Sequence, residues 1–112
     1  MKIRVYQINT DRDEKRVAFM SLDYAMKHGG VDLGDYDCVF DGDVNCNGIE
    51  DVFVDFNVNK PKGYEGRSMS VSDIVKVIES DTMESGYYYC DNIGFAKINF
   101  TATETSWRVK KL

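Results

Sequence analysis

Residues 63–77 (GYEGRSMSVSDIVKV) constrain the fold more than any other stretch of the chain. Ser68, Ser70 and Ser72 alternate with Met69 and Val71, end on Asp73, and run directly into an apolar segment at 74–78. In an extended chain successive side chains point to opposite faces, so this stretch would present one apolar face and one lined with hydroxyls. Ser and Asp also bond to neighbouring backbone, so the same residues suit a turn fixed into the start of a strand. Under either reading 74–78 is a strand. Residues 87–90 and 95–100 are two more, joined by a tight turn at Asp91, Asn92 and Gly94, so the C-terminal half reads as a β-meander.

The N-terminal half mixes periods. Ile3, Val5 and Gln7 alternate with Arg4 and Tyr6 as in a strand, and after the charged turn DRDEKR residues 17–20 read as a second short β-favouring run. Ser21 offers an N-cap for a short helix over 22–27 with Leu22, Ala25 and Met26 at helical spacing, and Gly29 or Gly30 supplies its stop. Residues 36–40 (YDCVF) alternate like a half-buried strand. Ile49, Val52, Phe53 and Phe56 then form one apolar stripe of a second helix ending near Asn57.

The loop between them, DGDVNCNGIED, has part of a calcium-binding pattern. Asp43, Asn45 and Asn47 occupy the first, third and fifth positions and Gly48 the sixth, but the twelfth, which needs a bidentate carboxylate, is Val54. No entering helix precedes the loop. Asn47 and Glu50 have the spacing of an N-cap and its reciprocal partner, so helix capping is the preferred reading and no metal or cofactor is expected.

Composition narrows the function classes. The chain has 112 residues with 43% apolar and 29% charged, the balance of one ordinary globular domain. The N-terminus has no signal-peptide core, and no apolar run approaches the roughly 18 residues of a membrane span, so a cytoplasmic protein is expected. A net charge of −5 argues against a general nucleic-acid surface. Arg108, Lys110 and Lys111 form the one basic cluster, read as a solvated tail. Cys38, Cys46 and Cys90 make an odd set without a CxxC pair, hence free thiols, with Cys38 and Cys90 expected in the core and Cys46 exposed.

Reactive groups do not assemble into a catalytic pattern. His28 is the sole histidine and sits where a helix dipole would favour it. The serines lack a nearby base and a GxSxG elbow. Tyr87, Tyr88 and Tyr89 lack the basic neighbours of a stacking platform and read as a core-and-rim aromatic strand.

The order VYQI, short helix, YDCVF, IEDVFVDFN, P-x-x-Y-x-G-R-S-M-S-V-S-D-I-V and Y-Y-C-D-N-I-G-F resembles the YodL-like domain family. The resemblance covers about residues 5–100 and is best at Gly66, Ser68, Ser70, Ser72, Asp73, Gly94 and Phe95. Cys90 departs from the usual aliphatic residue, and the turn over 79–86 is longer than typical. Such domains occur alone or within larger proteins of Firmicutes plasmids, conjugative elements and phages. The family has no established catalytic mechanism, so no catalytic residue carries over.

The fold expected is therefore one α+β domain over residues 1–100, an antiparallel or mixed sheet of about five or six strands with two helices packed on it. Residues 101–112 form a C-terminal tail in which Trp107 docks on the domain or anchors a partner. The expected function, by analogy with the family's setting, is a non-enzymatic protein-binding accessory module acting on a host or plasmid protein, such as a nucleic-acid-processing complex or a defence nuclease. Asp41, Asp43, Glu50, Asp51 and Asp55 would face a basic groove. The candidate binding residues are Arg67, Ser68, Ser70, Ser72 and Asp73. The alternatives are a small nucleic-acid-binding domain using Arg67 and Lys62 against phosphate, a domain with no activity of its own, and an enzyme with the loop from Ser68 to Asp73 as its site.

Overall fold

The structure, a computed structural model, describes residues 1–100 together with 109 and 110. Trp107, Arg108 and Lys111 lie outside the described residues. Six strands, β1 (Lys2–Ile8), β2 (Tyr36–Asp43), β3 (Ile74–Glu79), β4 (Gly86–Cys90), β5 (Phe95–Phe100) and the short β6 (Val109–Lys110), form one sheet in the order β2-β1-β3-β4-β5-β6. Every pairing is antiparallel. With α1 (Leu22–Lys27) and α2 (Ile49–Val58) the domain is α+β. The C-terminal meander is the β3-β4-β5 series.

The two helices cover opposite faces of the sheet. Ile3 and Val5 of β1 pack with Phe40, Val75, Val77 and the α2 residues Ile49, Val52 and Phe56. Ile8 packs instead with Ile74, Tyr89, Ile98 and Ala25 of α1. Alternation along each strand separates the two sets. On the α2 side the ring of Phe56 meets Phe40 edge-on at 5.0 Å and Tyr64 at 4.9 Å. Burying each such side chain contributes on the order of 1.5–3 kcal/mol.

A β-bulge lets β2 serve both cores. Val5 pairs with Phe40 but Tyr6 with Cys38, leaving Val39 as an extra residue. Tyr36 and Phe40, four apart and so nominally on one face, therefore belong to opposite cores. The bulge also corrects the expectation for Cys38. It shares the α1 side with Tyr6 on an edge strand beyond the reach of the short helix, and it is exposed, whereas Cys46 is half-buried with its Sγ donating to Asp55 Oδ2 at 3.3 Å. Cys90 is buried as expected.

Two local expectations also change. Residues 17–20 are not a strand. The Asp13 carboxylate accepts from Val17 N and Ala18 N, both at 3.0 Å, capturing amides that a ladder would use, and Arg16 and Phe19 adopt left-handed φ of 55° and 67°. At α2 the cap is Gly48 rather than Asn47, and Asp51 Oδ2 rather than Glu50 reaches back, accepting from Asn47 N at 3.2 Å. At α1 Ser21 is the N-cap, its Oγ accepting from Tyr24 N at 3.2 Å, and Gly29 and Gly30 supply the left-handed exit at φ 105° and 84°. No helix among the described residues is long and apolar enough to cross a membrane.

Candidate functional site

The serine segment enters β3 through a turn, not as an extended strand. Asp73 N donates to Ser70 O at 3.1 Å, closing a four-residue turn whose third residue, Ser72, has φ 84°. A left-handed conformation costs a non-glycine residue about 1–2 kcal/mol and persists only where the surroundings over-determine it. Here they do. Ser72 Oγ accepts from Phe19 N at 2.9 Å, Ser72 O accepts from Tyr36 OH at 2.7 Å, and Ser72 N donates to Cys90 O at 2.9 Å. The alternating hydroxyl face therefore does not form: Ser72 is buried, Ser70 is half-buried, and Ser68 is exposed.

Asp73 is fully buried beside this turn. Its Oδ2 accepts from Ser70 N and Gln7 Nε2, both at 2.9 Å, while Oδ1 has no hydrogen-bond partner and lies 4.0 Å from Arg67 Nη2. Burial raises the carboxyl to about 6, against the opposing pull of the Ser70 and Gln7 bonds and the Arg67 charge. Gln7 binds the loop back on itself: Nε2 also donates to Arg67 O at 2.9 Å, and Oε1 accepts from Arg67 N at 3.1 Å. Tyr64 OH donates to Arg67 O and is pushed up to about 12 by burial. Gly66 permits this approach, because a Cβ there would sit 2.4 Å from Gln7 Oε1 and 2.9 Å from the Tyr64 ring.

Arg67 is correspondingly tied down. Its Nη2 donates to Ile8 O at 3.2 Å and its guanidinium lies 4.9 Å from the centre of the Phe19 ring. Of the candidate binding residues, the fold thus brings together Arg67, Ser70, Ser72 and Asp73 as a clasp between β1, β3 and the loop before α1. Ser68, exposed, is not one of the hydrogen-bonded residues that form it. Sequence reading missed Gln7 and Tyr64 as members of the clasp. The signal for Gln7 was a polar residue on the apolar alternation of β1.

A family model for the YodL-like domain matches residues 2–100. The chain belongs to the YodL-like domain family. No curated protein and no solved structure matches the chain.

In this YodL-like domain the clasp leaves its turn beside a groove on the α2 side of the sheet, between α2 and the β4–β5 turn. The groove has a volume of about 370 Å³ and an apolar wall and floor that include Phe53, Val54, Val71, Cys90 and Phe95, with Glu50, Asp91 and Asn92 at its edge. Gly94, at φ 67°, closes the β4–β5 turn, Asp91 N donating to its carbonyl at 2.9 Å. The Cys90 thiol is pushed up to about 12 by burial and by the nearby Asp73 and Asp91, so it is protonated at neutral pH and presents little thiolate.

Two exposed apolar side chains adjoin this groove. Val54 lines it at 54% exposure and Ile93, 95% exposed, sits on the β4–β5 turn. Phe19 and Met20, 51% and 39% exposed, are not among its lining residues: the Phe19 ring lies under the Arg67 guanidinium, and Met20 O accepts from Tyr89 OH at 2.7 Å on the α1 side. A second, open cleft of about 260 Å³ beside the clasp is polar, with Asp37, Glu65 and Arg67 among its lining residues. No group of three His, Cys, Asp or Glu side chains among the described residues is placed to hold a metal ion. Asp43 ends β2, and Asn45 and Asn47 lie in the loop leading to α2.

Proposed function

We propose that this domain is a protein-binding accessory module. The observation that carries the reading is the groove itself, an apolar recess walled by Phe53, Val54, Val71 and Phe95, with Val54 54% exposed on one wall and Ile93, 95% exposed, on the adjoining β4–β5 turn. Isolated exposed apolar residues need no explanation, but a gathered set with a recess between them is the form of an interaction surface. The Ser70–Asp73 turn supports it indirectly. Its hydroxyl and carboxylate groups are engaged in holding Phe19 and the start of β3 in place.

The partner we favour is a protein of a host or plasmid with a basic surface, of the nucleic-acid-processing kind. Asp41, Asp43, Glu50 and Asp51 are all exposed along the run from the end of β2 to the first turn of α2, with Asp55 half-buried behind them. Among these Asp41 is already matched by Arg4 at 3.2 Å. Complementary fields of this kind speed encounter and select partners more than they add affinity.

Affinity capture of the tagged protein from a Firmicutes host, with and without nuclease, followed by mass spectrometry, tests the reading. A partner that survives nuclease treatment is the expected result. Recovery of nucleic acid alone, lost on nuclease treatment, would replace protein binding with direct nucleic-acid binding.

A further inference from the structure

Resting on the protein-binding reading, we infer that the groove between α2 and the β4–β5 turn receives a single large apolar side chain carried on a basic segment, with Lys or Arg on either side of it. Three features of the groove converge on that occupant.

The first is its size and lining. About 370 Å³ is near the lower end of pockets that enclose a small ligand, and it suits one buried anchor better than a long peptide. Phe53, Val54, Val71 and Phe95 offer it apolar contact. Anchors of this kind, desolvated in a recess and ringed by polar contacts, carry most of the binding free energy in protein interfaces.

The second is the sign of the rim. Both ionisable residues at the edge of the groove, Glu50 and Asp91, are acidic, and none of its lining residues is Lys or Arg. Glu50 opens α2 together with Asp51, so negative charge continues outward from the recess along the helix. Among the described residues, Lys97 on β5 pairs with Glu84, and Arg67 is drawn inward by Ile8 O and Asp73. An anchor flanked by acidic residues would meet like charge, and one flanked by Lys or Arg would meet opposite charge.

The third is rigidity. The β4–β5 turn is fixed by the Asp91–Gly94 backbone bond and by Asp91 Oδ1 accepting from Leu22 N and Asn92 N. The opposite wall is the helix α2, packed on the sheet through Val52 and Phe56. A recess between two fixed walls is formed before the partner arrives, which lowers the ordering cost of binding.

The test uses the full chain, labelled with ¹⁵N, and a short acetylated peptide with one central Leu flanked by two Arg on each side. Comparison peptides replace Leu with Ser or Arg with Glu. At low salt, about 50 mM, where rim charges are weakly screened, the Arg-flanked Leu peptide should shift the amides of Val54, Val71, Asn92 and Gly94. The Ser and Glu peptides should bind about tenfold more weakly or worse. Val54→Gln and Glu50→Lys, both at exposed positions, should each weaken the Leu peptide by a similar factor while leaving the remaining spectrum in place. Equal binding of the Ser peptide, shifts at Asp41 and Asp43 without the groove amides, or no shifts would each overturn the inference. A captured partner held equally well by the Val54→Gln and Glu50→Lys variants would overturn the groove while leaving protein binding standing. Peptide binding at the groove with no captured partner would do the reverse.

Discussion

Gln7 and Asp73 meet across the end of the β1–β3 pairing, Gln7 Nε2 donating to Asp73 Oδ2 at 2.9 Å with both residues buried. This one contact joins the N-terminal strand to the Ser70–Asp73 turn. Through Gln7 it also holds the backbone of Arg67, and through the turn it holds Phe19. A polar bridge inside an otherwise apolar sheet is costly when half-made and specific when complete.

Asp73 makes stability depend on pH. Its carboxyl titrates near 6 in the folded protein, against an ordinary 3.8, so the native state holds the proton more tightly than the unfolded chain. The stabilising contribution is complete below about pH 4 and is lost as pH rises through about 6, a change of about 3 kcal/mol for a two-unit difference. Urea midpoints measured at pH 4, 5, 6 and 7 should fall across that window. Asp73→Asn, which keeps an acceptor for Gln7 and Ser70, should flatten the fall; parallel curves for the two proteins would exclude Asp73 as its source. Asp73→Ala should cost roughly 1–3 kcal/mol at pH 5 by leaving the Gln7 and Ser70 donors without it.

Ser72 provides a test of strain against hydrogen bonding. Ser72→Ala removes the acceptor for Phe19 N but keeps a Cβ in the left-handed conformation, whereas Ser72→Gly removes the acceptor and relieves the strain. Both variants should be less stable than the parent, with Gly the milder by about 1 kcal/mol. Chemical denaturation of the pair settles the order, and an Ala variant as stable as the Gly variant would show that Ser72 stores no strain.

Gly66→Ala should destabilise the domain by about 1–3 kcal/mol, the usual cost of forcing a methyl into a filled site. The added carbon would meet Gln7 Oε1 and Tyr64, so the clasp must open to admit it. The loss should be visible as a lower melting temperature together with greater exchange of the Arg67 amide, which Gln7 Oε1 otherwise accepts. Unchanged melting would mean that the loop yields without cost.

The three thiols should react in a fixed order. Cys38 is exposed, whereas burial raises Cys46 to about 11 and Cys90 to about 12. A thiol-reactive dye added to native protein at pH 7.5 should modify one cysteine rapidly, and Cys38→Ser should abolish that fast phase. A fast phase that persists in the Cys38→Ser variant would place the reactive thiol elsewhere.

Much of the architecture was legible in local pattern. The alternation in residues 3–7 and 36–40, the apolar run at 74–78, the Ser21 cap and the apolar stripe of α2 each specify an element by a pattern or a capping geometry confined to a few neighbours. Residues 17–20 misled because their β-branched and aromatic content says nothing of Asp13, whose carboxylate captures Val17 N and Ala18 N. Cys38 misled because the bulge at Val39 exists only in the pairing with β1. The groove was out of reach for the same reason. Its walls come from residues 50–54, 71 and 90–95, and no local signal records that the chain brings them together.

The amino-acid sequence by itself determined the class of fold, the strands of the meander, the two helices and the membership of the family, because those follow from short-range periodicity and from a motif read in order. The tertiary structure alone decided that the helices cover opposite faces, that residues 70–73 form a turn with Ser72 buried rather than a hydroxyl face, and that Gln7, Tyr64, Arg67 and Asp73 make one clasp. The reason is physical. Periodicity assigns a side chain to a face, but desolvation then decides which polar groups must find partners across 60 or more residues of chain, as Gln7 does with Arg67 and Asp73.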